Sequence, residues 1–319
     1  MQKIRDKILL SIALAALIYL GFIIYGDFEK LTKSFQDFSW HLLPVLLILS
    51  LGNYFSRFFK WEYYLKLIGV KIPGSDSLSI FMSGLVLSIT PGKMGELLKS
   101  YLIKQADSTP ISKTAPIVLA ERITDFLSLT IMALAGAYYF NYGKNIALII
   151  GLMIISGIFI ITSKKIFNKV LFIISKIKIF SRHTGKIQSA YDSSSKLLAL
   201  KPLVSMTLLS VVSWGFECLG YYLILKDFGL NANAAWSFFS YSFSTIVGAL
   251  SMLPGGLGVT EGSLTIMTMR RGFSESDAFA STFIIRAVTL WFAVLVGAIG
   301  LLFYQKKFGK VTIDTQSQL

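Results

Sequence analysis

The sequence predicts an all-α polytopic integral membrane protein, and three observations support that fold class. Hydrophobic residues make up 54% of the 319 residues and charged residues only 15%, a balance typical of chains that cross a bilayer several times. Apolar runs recur along the whole chain. Lysine and arginine residues cluster between these runs, as they do in cytoplasmic loops. Because the cations lie there, the net charge of +14 does not indicate nucleic-acid binding.

The residue types that carry redox and metal chemistry are scarce. The single cysteine, Cys218, lies within an apolar run and cannot form a disulfide within the chain. The two histidines, His41 and His183, are too few and too widely separated for a metal cluster. We therefore expect no metal and no cofactor in a single membrane domain covering residues 1–319.

The N-terminal segments set the predicted sidedness. Three basic residues precede the apolar run 8–25, which we interpret as a first transmembrane helix because it is longer than the apolar part of a signal peptide. The basic flank places the N-terminus in the cytoplasm. The loop 27–37 has three acidic and two basic residues, which suits the outer side. A second helix returns inward from about Leu42 and ends near four cations, Arg57, Lys60, Lys66 and Lys71.

The next apolar segment is too short to cross the bilayer. At ~1.5 Å per residue, residues 77–90 extend about 21 Å, against a hydrocarbon core of ~30 Å. After Pro91 the chain returns through Lys99 and Lys104, which favour the cytoplasm. Residues 77–104 therefore predict a re-entrant hairpin that opens inward. Helices over about 114–140 and 146–161 then cross outward and back.

The segment 164–201 gives the strongest sidedness signal. It holds nine basic residues against Asp192 alone, which predicts a cytoplasmic loop. Apolar residues at helical spacing within it allow either a helix lying on the anionic leaflet or a solvated linker.

The remaining segments complete the predicted topology. A helix leaves the cytoplasm from about residue 203. A second hairpin, 234–270, opens outward, and a last helix over about 278–304 returns, so both termini are cytoplasmic. This gives about six full spans plus two hairpins, or eight helices by hydropathy. Residues 234–253 are also long enough to span the bilayer, and this alternative preserves the sidedness.

The two halves of the chain, 42–140 and 203–304, contain matching residues in the same order. Pro91-Gly92 matches Pro254-Gly255, and the proline is 31 positions before Arg122 in one half and 32 before Arg286 in the other. Further matches join Tyr63-Tyr64-Leu65 to Tyr221-Tyr222-Leu223, Gly69 to Gly229 and Glu96 to Glu261. Because one hairpin opens inward and the other outward, the pattern predicts an inverted repeat whose breaks meet near the bilayer midplane.

The breaks and the intramembrane charges predict a polar cavity. A helix that restarts inside the membrane presents free amide groups and a positive dipole end, which bind anions such as phosphate. Ionised side chains are costly in hydrocarbon, so each must be paired or functional. The alternatives are that the glycines only permit close packing and that the charges only form internal ion pairs. The candidate substrate-binding residues are Pro91, Gly92, Lys93, Gly95, Glu96, Glu121, Arg122, Asp125, Glu217, Pro254, Gly255, Gly256, Glu261 and Arg286.

Three motifs in this order resemble the flippase-like transmembrane domain of lysylphosphatidylglycerol synthases and its stand-alone relatives. They are residues 91–99 (PGKMGELLK), 121–125 (ERITD) and 253–262 (LPGGLGVTEG), followed by Arg286. The resemblance implies a protein of the cell membrane that moves a phospholipid or a lipid-linked molecule between leaflets. Full-length synthases add a soluble aminoacyl-transferase domain, whereas this chain ends at Leu319, so we expect neither lipid aminoacylation nor another enzymatic activity.

Other functions fit the same architecture. An ion-coupled small-solute transporter or an accessory subunit of a lipid-modifying enzyme would have similar features. A membrane enzyme acting on lipid-linked sugars or phosphates is less consistent with the sequence, which has no histidine cluster or aspartate-rich metal motif. A membrane lipid is the expected partner. The oligomeric state stays open, a homo-oligomer included.

Overall fold

The computed structural model describes residues 28–90, 95–140, 184–229 and 233–311, with scattered positions between 145 and 163. All regular structure within these residues is helical, which confirms the predicted all-α class. The predicted first span, 8–25, and most of the predicted span 146–161 lie outside the described residues. The described helices are α1 (Phe28–Asp37), α2 (Leu43–Leu67), α3 (Gly74–Leu85), α4 (Leu98–Asp107), α5 (Ile111–Phe140), α6 (Thr184–Leu197), α7 (Leu200–Asp227), α8 (Ala234–Leu250), α9 (Val259–Met269), α10 (Glu275–Arg286) and α11 (Phe292–Phe308).

Three helical stretches in the described part of the chain are long and apolar enough to cross a membrane. They are Trp40–Leu67, Leu200–Asp227 and Glu275–Phe308, of 28, 28 and 34 residues. The last of these runs from α10 into α11 through a π-helical turn at Ala287–Trp291. Helix α5 has 30 residues, about 45 Å, and is also long enough. It contains Glu121, Arg122 and Asp125, which are largely buried inside the protein.

The described helices number eleven, more than the eight predicted from hydropathy. Two of the additional helices, α1 and α6, are amphipathic or polar and are not visible as apolar runs. Six of the eight predicted segments lie in the described residues and account for the other nine helices, because each predicted hairpin is divided into two helices and the last predicted helix is divided into α10 and α11. Residues 184–201, predicted as part of a basic loop, form α6 and the start of α7, and α6 packs against α5. Residues 164–183 of that segment lie outside the described residues.

Local residue choices explain where two of the long helices end. Helices α2 and α7 are followed by Gly69 (φ 68°) and Gly229 (φ 78°). The left-handed conformation is inexpensive only for glycine and lets the chain turn away from the helix axis. The amide of Gly69 donates to the carbonyl of Lys66, and that of Gly229 donates to the carbonyl of Lys226. The two glycines that were matched in sequence therefore terminate their helices in the same way.

Long helices from one half of the chain pack against helices from the other half. Helix α2 packs along α7, α5 packs along α8, and α11 packs along α3. Glycines permit the closest of these contacts. A Cβ atom at Gly136 of α5 would lie 2.3 Å from Cβ of Phe239, and one at Gly297 of α11 would lie 2.1 Å from the backbone nitrogen of Val86.

Contacts between helix termini divide the described loops into two groups, one at each end of the bundle. At one end, called here the Asp277 end, Ser34 donates to Asp277 (2.7 Å) and the amide of Ser39 donates to Asp227 (2.8 Å). The Arg271 guanidinium stacks 4.1 Å above the centre of the Trp236 ring. This contact joins the start of α8 to the residues that follow α9.

The other end of the bundle is called here the Asp76 end. There Lys307 pairs with Asp76 at 2.6 Å, and the side chain of Gln105 donates to the carbonyl of Phe308 at 3.1 Å. The start of α3 and the end of α4 therefore both lie beside the C-terminal end of α11.

Candidate functional site

The two segments that separate the paired helices of the predicted hairpins contact each other. Break 1 comprises residues 86–97 between α3 and α4, of which 91–94 are outside the described residues. Break 2 comprises residues 251–258 between α8 and α9. A Cβ atom built on Gly255 of break 2 would lie 3.5 Å from Cα of Ile89 in break 1. Ile89 and Leu257 are fully buried and belong to one apolar cluster with Leu290.

A cavity of about 350 Å³ lies beside this contact. Break 1 contributes Ser88 and Thr90 to its lining, and break 2 contributes Gly255 and Gly256. Break 2 also contributes Met252 and Leu253, and the other lining residues come from α2, α5, α7, α8 and the stretch α10–α11, with one each from α3 and α9. The charged side chains at its wall are Arg57, Arg122, Asp125, Glu217 and Arg286.

A buried ion network extends from the cavity wall into the first half of the protein. Its centre is Asp125, whose Oδ1 lies 2.6 Å from Nζ of Lys60 and whose Oδ2 lies 3.3 Å from Nη2 of Arg122. Arg122 also pairs with Glu96 at 3.0 Å. Nη2 of Arg57 lies 3.7 Å from Glu96 and 3.8 Å from Asp125.

Lys99 closes the far side of this network, away from the cavity. Its Nζ lies 2.6 Å from Glu121 and 4.7 Å from the centre of the Trp61 ring. The network thus joins four cations to three carboxylates, and it has an excess of one positive charge among the described residues. Partnered charges of this kind reduce the cost of ions inside a membrane protein. The seven members are Arg57, Lys60, Glu96, Lys99, Glu121, Arg122 and Asp125.

The second half contains a smaller ion pair that holds break 2. Nε of Arg286 donates to Glu261 at 2.7 Å, and its Nη2 donates to the carbonyl of Gly255 at 2.6 Å. The other oxygen of Glu261 accepts from the amide of Gly258 at 2.8 Å, at the start of α9. Gly255 and Gly258 have positive φ angles of 59° and 81°, at which glycine is the least strained residue. One guanidinium therefore connects α10, the start of α9 and the non-helical backbone between α8 and α9.

An acidic residue and three aromatic residues complete the polar wall. Glu217 on α7 accepts a hydrogen bond from the Tyr241 hydroxyl at 2.7 Å. Tyr54 and Trp214 line the cavity as well, and the Tyr54 hydroxyl donates to the carbonyl of Thr289 at 2.7 Å. The cavity therefore offers charged groups of both signs, hydroxyl groups and aromatic rings.

The structure brings together only part of the predicted site. Six of the fourteen candidates line the cavity: Arg122, Asp125, Glu217, Gly255, Gly256 and Arg286. Glu96 and Glu261 do not line the cavity, but each pairs with an arginine that does, Arg122 and Arg286 respectively. Three further candidates do not line the cavity. Glu121 pairs with Lys99, and the amide of Gly95 donates to the Thr90 hydroxyl at 2.8 Å. Pro254 is the first residue of the short 3-10 helix in break 2. Pro91, Gly92 and Lys93 lie outside the described residues.

The candidates predicted from sequence lack three members of the ion network, Arg57, Lys60 and Lys99. Lys60 and Lys99 are 0% and 2% exposed, yet hydropathy places them among the cytoplasmic cations. Their position in the helix could have indicated burial, because Arg57 and Lys60 lie within the helix that ends at Leu67 and not after it. Because buried cations cannot mark a loop, the predicted sidedness now depends on the remaining charges, such as Lys66, Lys71, Lys104 and Lys113.

Comparisons with known proteins relate the chain to a family of membrane proteins. The family model of the lysylphosphatidylglycerol synthase TM region matches residues 8–297. A UPF0104 membrane protein of Methanocaldococcus jannaschii is 28% identical over 66% of this chain and 91% of its own length. Others, from Pyrococcus horikoshii and Methanothermobacter thermautotrophicus, are 26% and 22% identical, over 75% and 98% of this chain and 80% and 99% of their own lengths. The chain therefore belongs to the family of the lysylphosphatidylglycerol synthase TM region and is an integral membrane protein.

Proposed function

We propose that this protein moves a phospholipid or a lipid-linked phosphate between the leaflets of the cell membrane. The observation that carries the proposal is the contact between the two breaks beside one polar cavity, at whose wall three guanidinium groups lie: Arg57, Arg122 and Arg286. Arginine binds phosphate through two parallel hydrogen bonds and is less strongly hydrated than lysine, which suits a site shielded from water. Translocation of this kind needs no chemical step, so we propose a transport protein and not an enzyme.

Each predicted hairpin begins and ends at the same end of the helix bundle, which supports a re-entrant course for both. The first hairpin begins at Asp76 and ends near Gln105, and both residues contact the end of α11. The second begins at Trp236 and ends near Arg271, which stack on each other. Those contacts lie at the Asp76 end and the Asp277 end respectively. Two hairpins that enter from opposite ends and touch at their breaks fit the arrangement of an inverted repeat.

Residues at matched positions on the cavity wall also favour an inverted repeat. Arg122 and Arg286 are 164 positions apart, and the same spacing relates other lining residues on these helices. These pairs are Asp125 and Thr289, Phe126 and Leu290, and Leu129 and Ala293. It also relates Gly136 to Gly300, each of which packs closely on the first helix of the opposite hairpin.

Residues of α2 and α7 that occupy equivalent positions are not separated by the 158 positions that relate Tyr63-Tyr64 to Tyr221-Tyr222. Tyr64 is buried, whereas its proposed counterpart Tyr222 is partly exposed. A spacing of 160, set by Gly69 and Gly229, pairs residues of equal burial, such as Leu65 with Leu225. The 160 spacing also pairs Tyr54 with Trp214 and Arg57 with Glu217, all of which line the cavity. We infer that the cavity lies on the axis relating the two halves.

Lipid movement in reconstituted vesicles tests the proposal. Purified protein in vesicles that contain a fluorescent phospholipid should make inner-leaflet lipid accessible to a membrane-impermeant quencher faster than in protein-free vesicles. If the same vesicles move a water-soluble phosphate but no labelled lipid, the small-solute transporter is favoured instead.

A matched pair of glycine variants tests whether the breaks are needed. Gly255→Leu places a side chain at a left-handed position whose Cβ would lie 3.2 Å from Leu290, while Gly229→Leu places the same side chain at a left-handed position with open space around it. Both variants have backbone strain, but only the first fills the contact between the breaks. We expect lipid movement to fall by about tenfold or more in Gly255→Leu, in line with overpacking costs, and to persist in Gly229→Leu. Equal rates in folded samples of both variants would contradict the proposed role of break 2.

A further inference from the structure

One exposed arginine at the Asp277 end lies against aromatic rings and not against a carboxylate. The Arg271 guanidinium is 4.1 Å from the centre of the Trp236 ring and 4.9 Å from the centre of the Phe140 ring. The two rings are nearly perpendicular, at 89°, and their centres are 5.2 Å apart. They form a corner that the guanidinium covers. We call Arg271, Trp236 and Phe140 the arginine corner.

Packing below the arginine corner and a turn beside it hold its parts in place. Trp236 is 7% exposed and belongs to a buried apolar cluster with Phe239. The amide of Arg271 donates to the carbonyl of Thr268 at 2.9 Å, in a turn that continues through Gly272 (φ 93°). Because the rings and the backbone are fixed in this way, a ligand that binds the arginine does not have to order them.

The hydrogen-bond donors of Arg271 are available to a ligand. Its side chain makes no ion pair and no hydrogen bond with the described residues. Two carboxylates of the same end are engaged by other groups, since Asp227 accepts from the amide of Ser39 and Asp277 accepts from Ser34. Stacking on a ring uses the face of a guanidinium, whereas its N–H donors lie in its plane. The exposed edge of Arg271 therefore presents the planar fork that binds phosphate with two parallel hydrogen bonds.

The position of the arginine corner along the helices indicates which phosphate it meets. Phe140 is the last residue of α5, and Trp236 lies in the first turn of α8. Tyr138, one turn before the end of α5, is 86% exposed. Aromatic rings and arginines near the ends of membrane helices are typical of the headgroup region of a bilayer. A phosphate at this depth belongs to a membrane lipid.

We propose that the arginine corner binds the phosphate of an anionic phospholipid in the leaflet at the Asp277 end, as a fixed ligand and not as the molecule that is moved. Arg270, which precedes Arg271, is exposed as well, and two adjacent guanidinium groups repel the cationic amine of a zwitterionic headgroup. The corner shares no residue with the lining of the cavity, so the inference does not depend on the proposed translocation. Because the corner joins both ends of the second hairpin to α5, the bound lipid stabilises the base of this hairpin.

Native mass spectrometry of the purified protein tests the site by counting bound lipids. The protein in detergent is titrated with phosphatidic acid or with phosphatidylcholine of the same chain length. Arg271→Gln removes the guanidinium, and Lys33→Gln makes the same charge change at an exposed position of α1, also at the Asp277 end. We expect Arg271→Gln to bind one phosphatidic acid about tenfold more weakly, the loss of a charge-assisted hydrogen-bonded pair, and Lys33→Gln to match the unaltered protein. Equal binding by the two variants, or equal affinity for the two lipids, would overturn the proposal.

Thermal unfolding separates a ligand site from a contact that only holds the hairpin together. Phosphatidic acid should raise the unfolding midpoint of the unaltered protein and of Lys33→Gln by a saturating amount that is smaller in Arg271→Gln. A lower midpoint of Arg271→Gln with an undiminished lipid-induced shift would show that Arg271 is structural only. Glycerol phosphate, which has the same phosphate without acyl chains, should not shift the midpoint, and a full shift would indicate a soluble anion as the ligand.

Arg271→Lys provides a variant that keeps the positive charge over the rings if Arg271→Gln does not fold. Lysine lacks the planar fork of arginine, so this variant should fold like the unaltered protein and bind phosphatidic acid more weakly. An unchanged affinity of Arg271→Lys for phosphatidic acid would contradict the two parallel hydrogen bonds proposed for the arginine corner.

Discussion

At the scale of single residues, the buried cations have the largest energetic consequences. Lys60 is 0% exposed and donates to Asp125 at 2.6 Å and to Ser210 at 2.7 Å. Truncating one partner of a buried ion pair is costly because the other charge stays in a medium that solvates it poorly. The helix that contains Lys60 also contains an exposed lysine, Lys66, which allows a direct comparison.

We predict that Lys60→Met destabilises the protein by about 3–5 kcal/mol, the usual cost of breaking a buried ion pair by removing one partner. Lys66→Met, on the same helix, should change stability by less than about 1 kcal/mol. Thermal unfolding of the purified proteins in detergent measures the difference. Adding Asp125→Asn to Lys60→Met should not recover the loss, because Asp125 also pairs with Arg122 at 3.3 Å, which would then lose a partner. Equal stabilities of the two lysine variants would mean that the ion network does not stabilise the fold.

At the scale of helices, contacts between the two halves depend on small residues. Without a hydrophobic driving force between helices in lipid, association depends on close packing. Gly297 of α11 faces the backbone of Val86 directly after α3, and Gly300 faces Met82 within α3. Gly136 has the same role between α5 and α8. Glycine is therefore required at these positions for contact and not for backbone conformation.

We predict opposite effects of the same substitution at two helical glycines. Gly297→Ala introduces a Cβ atom 2.1 Å from a backbone nitrogen, so α11 must shift away from α3, at about 1–3 kcal/mol. Gly215→Ala, within α7, meets no atom within 4 Å and replaces glycine with a better helix former, for a gain of up to about 1 kcal/mol. The two unfolding midpoints should move in opposite directions. A shared direction would show that the contact between α11 and α3 is not as close as described.

At the scale of the whole molecule, the described loops lie at two ends that carry different charges. The Asp277 end contains Asp37, Asp227, Glu275 and Asp277, which offset the basic residues Lys226, Arg270 and Arg271 there. The Asp76 end contains Lys71, Lys104, Lys306 and Lys310, and the positive-inside rule places such an end in the cytoplasm. We therefore propose cytoplasmic termini and a cytoplasmic basic segment 164–201.

Single-cysteine labelling tests this orientation. The buried Cys218 can be replaced by serine to give a background without thiols. Lys33→Cys, in α1, and Lys186→Cys, in α6, both place a thiol at an exposed position. A membrane-impermeant maleimide added to intact cells should modify position 33 and leave position 186 unmodified until the cells are opened. The reverse pattern would invert the proposed topology, and labelling of both positions in intact cells would contradict the path of the chain between them.

The sequence by itself determined the all-α membrane class, the two interruptions and the family, because these depend on composition and short motifs. It also required that the ionised residues inside apolar runs be paired or functional, whereas the Glu96–Arg122 and Glu261–Arg286 pairs came from the structure. Only the tertiary structure decided which cations are buried. Hydropathy judges Lys60 and Lys99 by their neighbours in the chain, whereas their partners Asp125 and Glu121 lie 65 and 22 positions away. The structure was also needed to decide which positions of α2 and α7 are equivalent. Tyr64 and Tyr222 are the same residue type, but Tyr64 is buried and Tyr222 is partly exposed. Burial depends on which helix lies opposite, and that is a property of the packed protein.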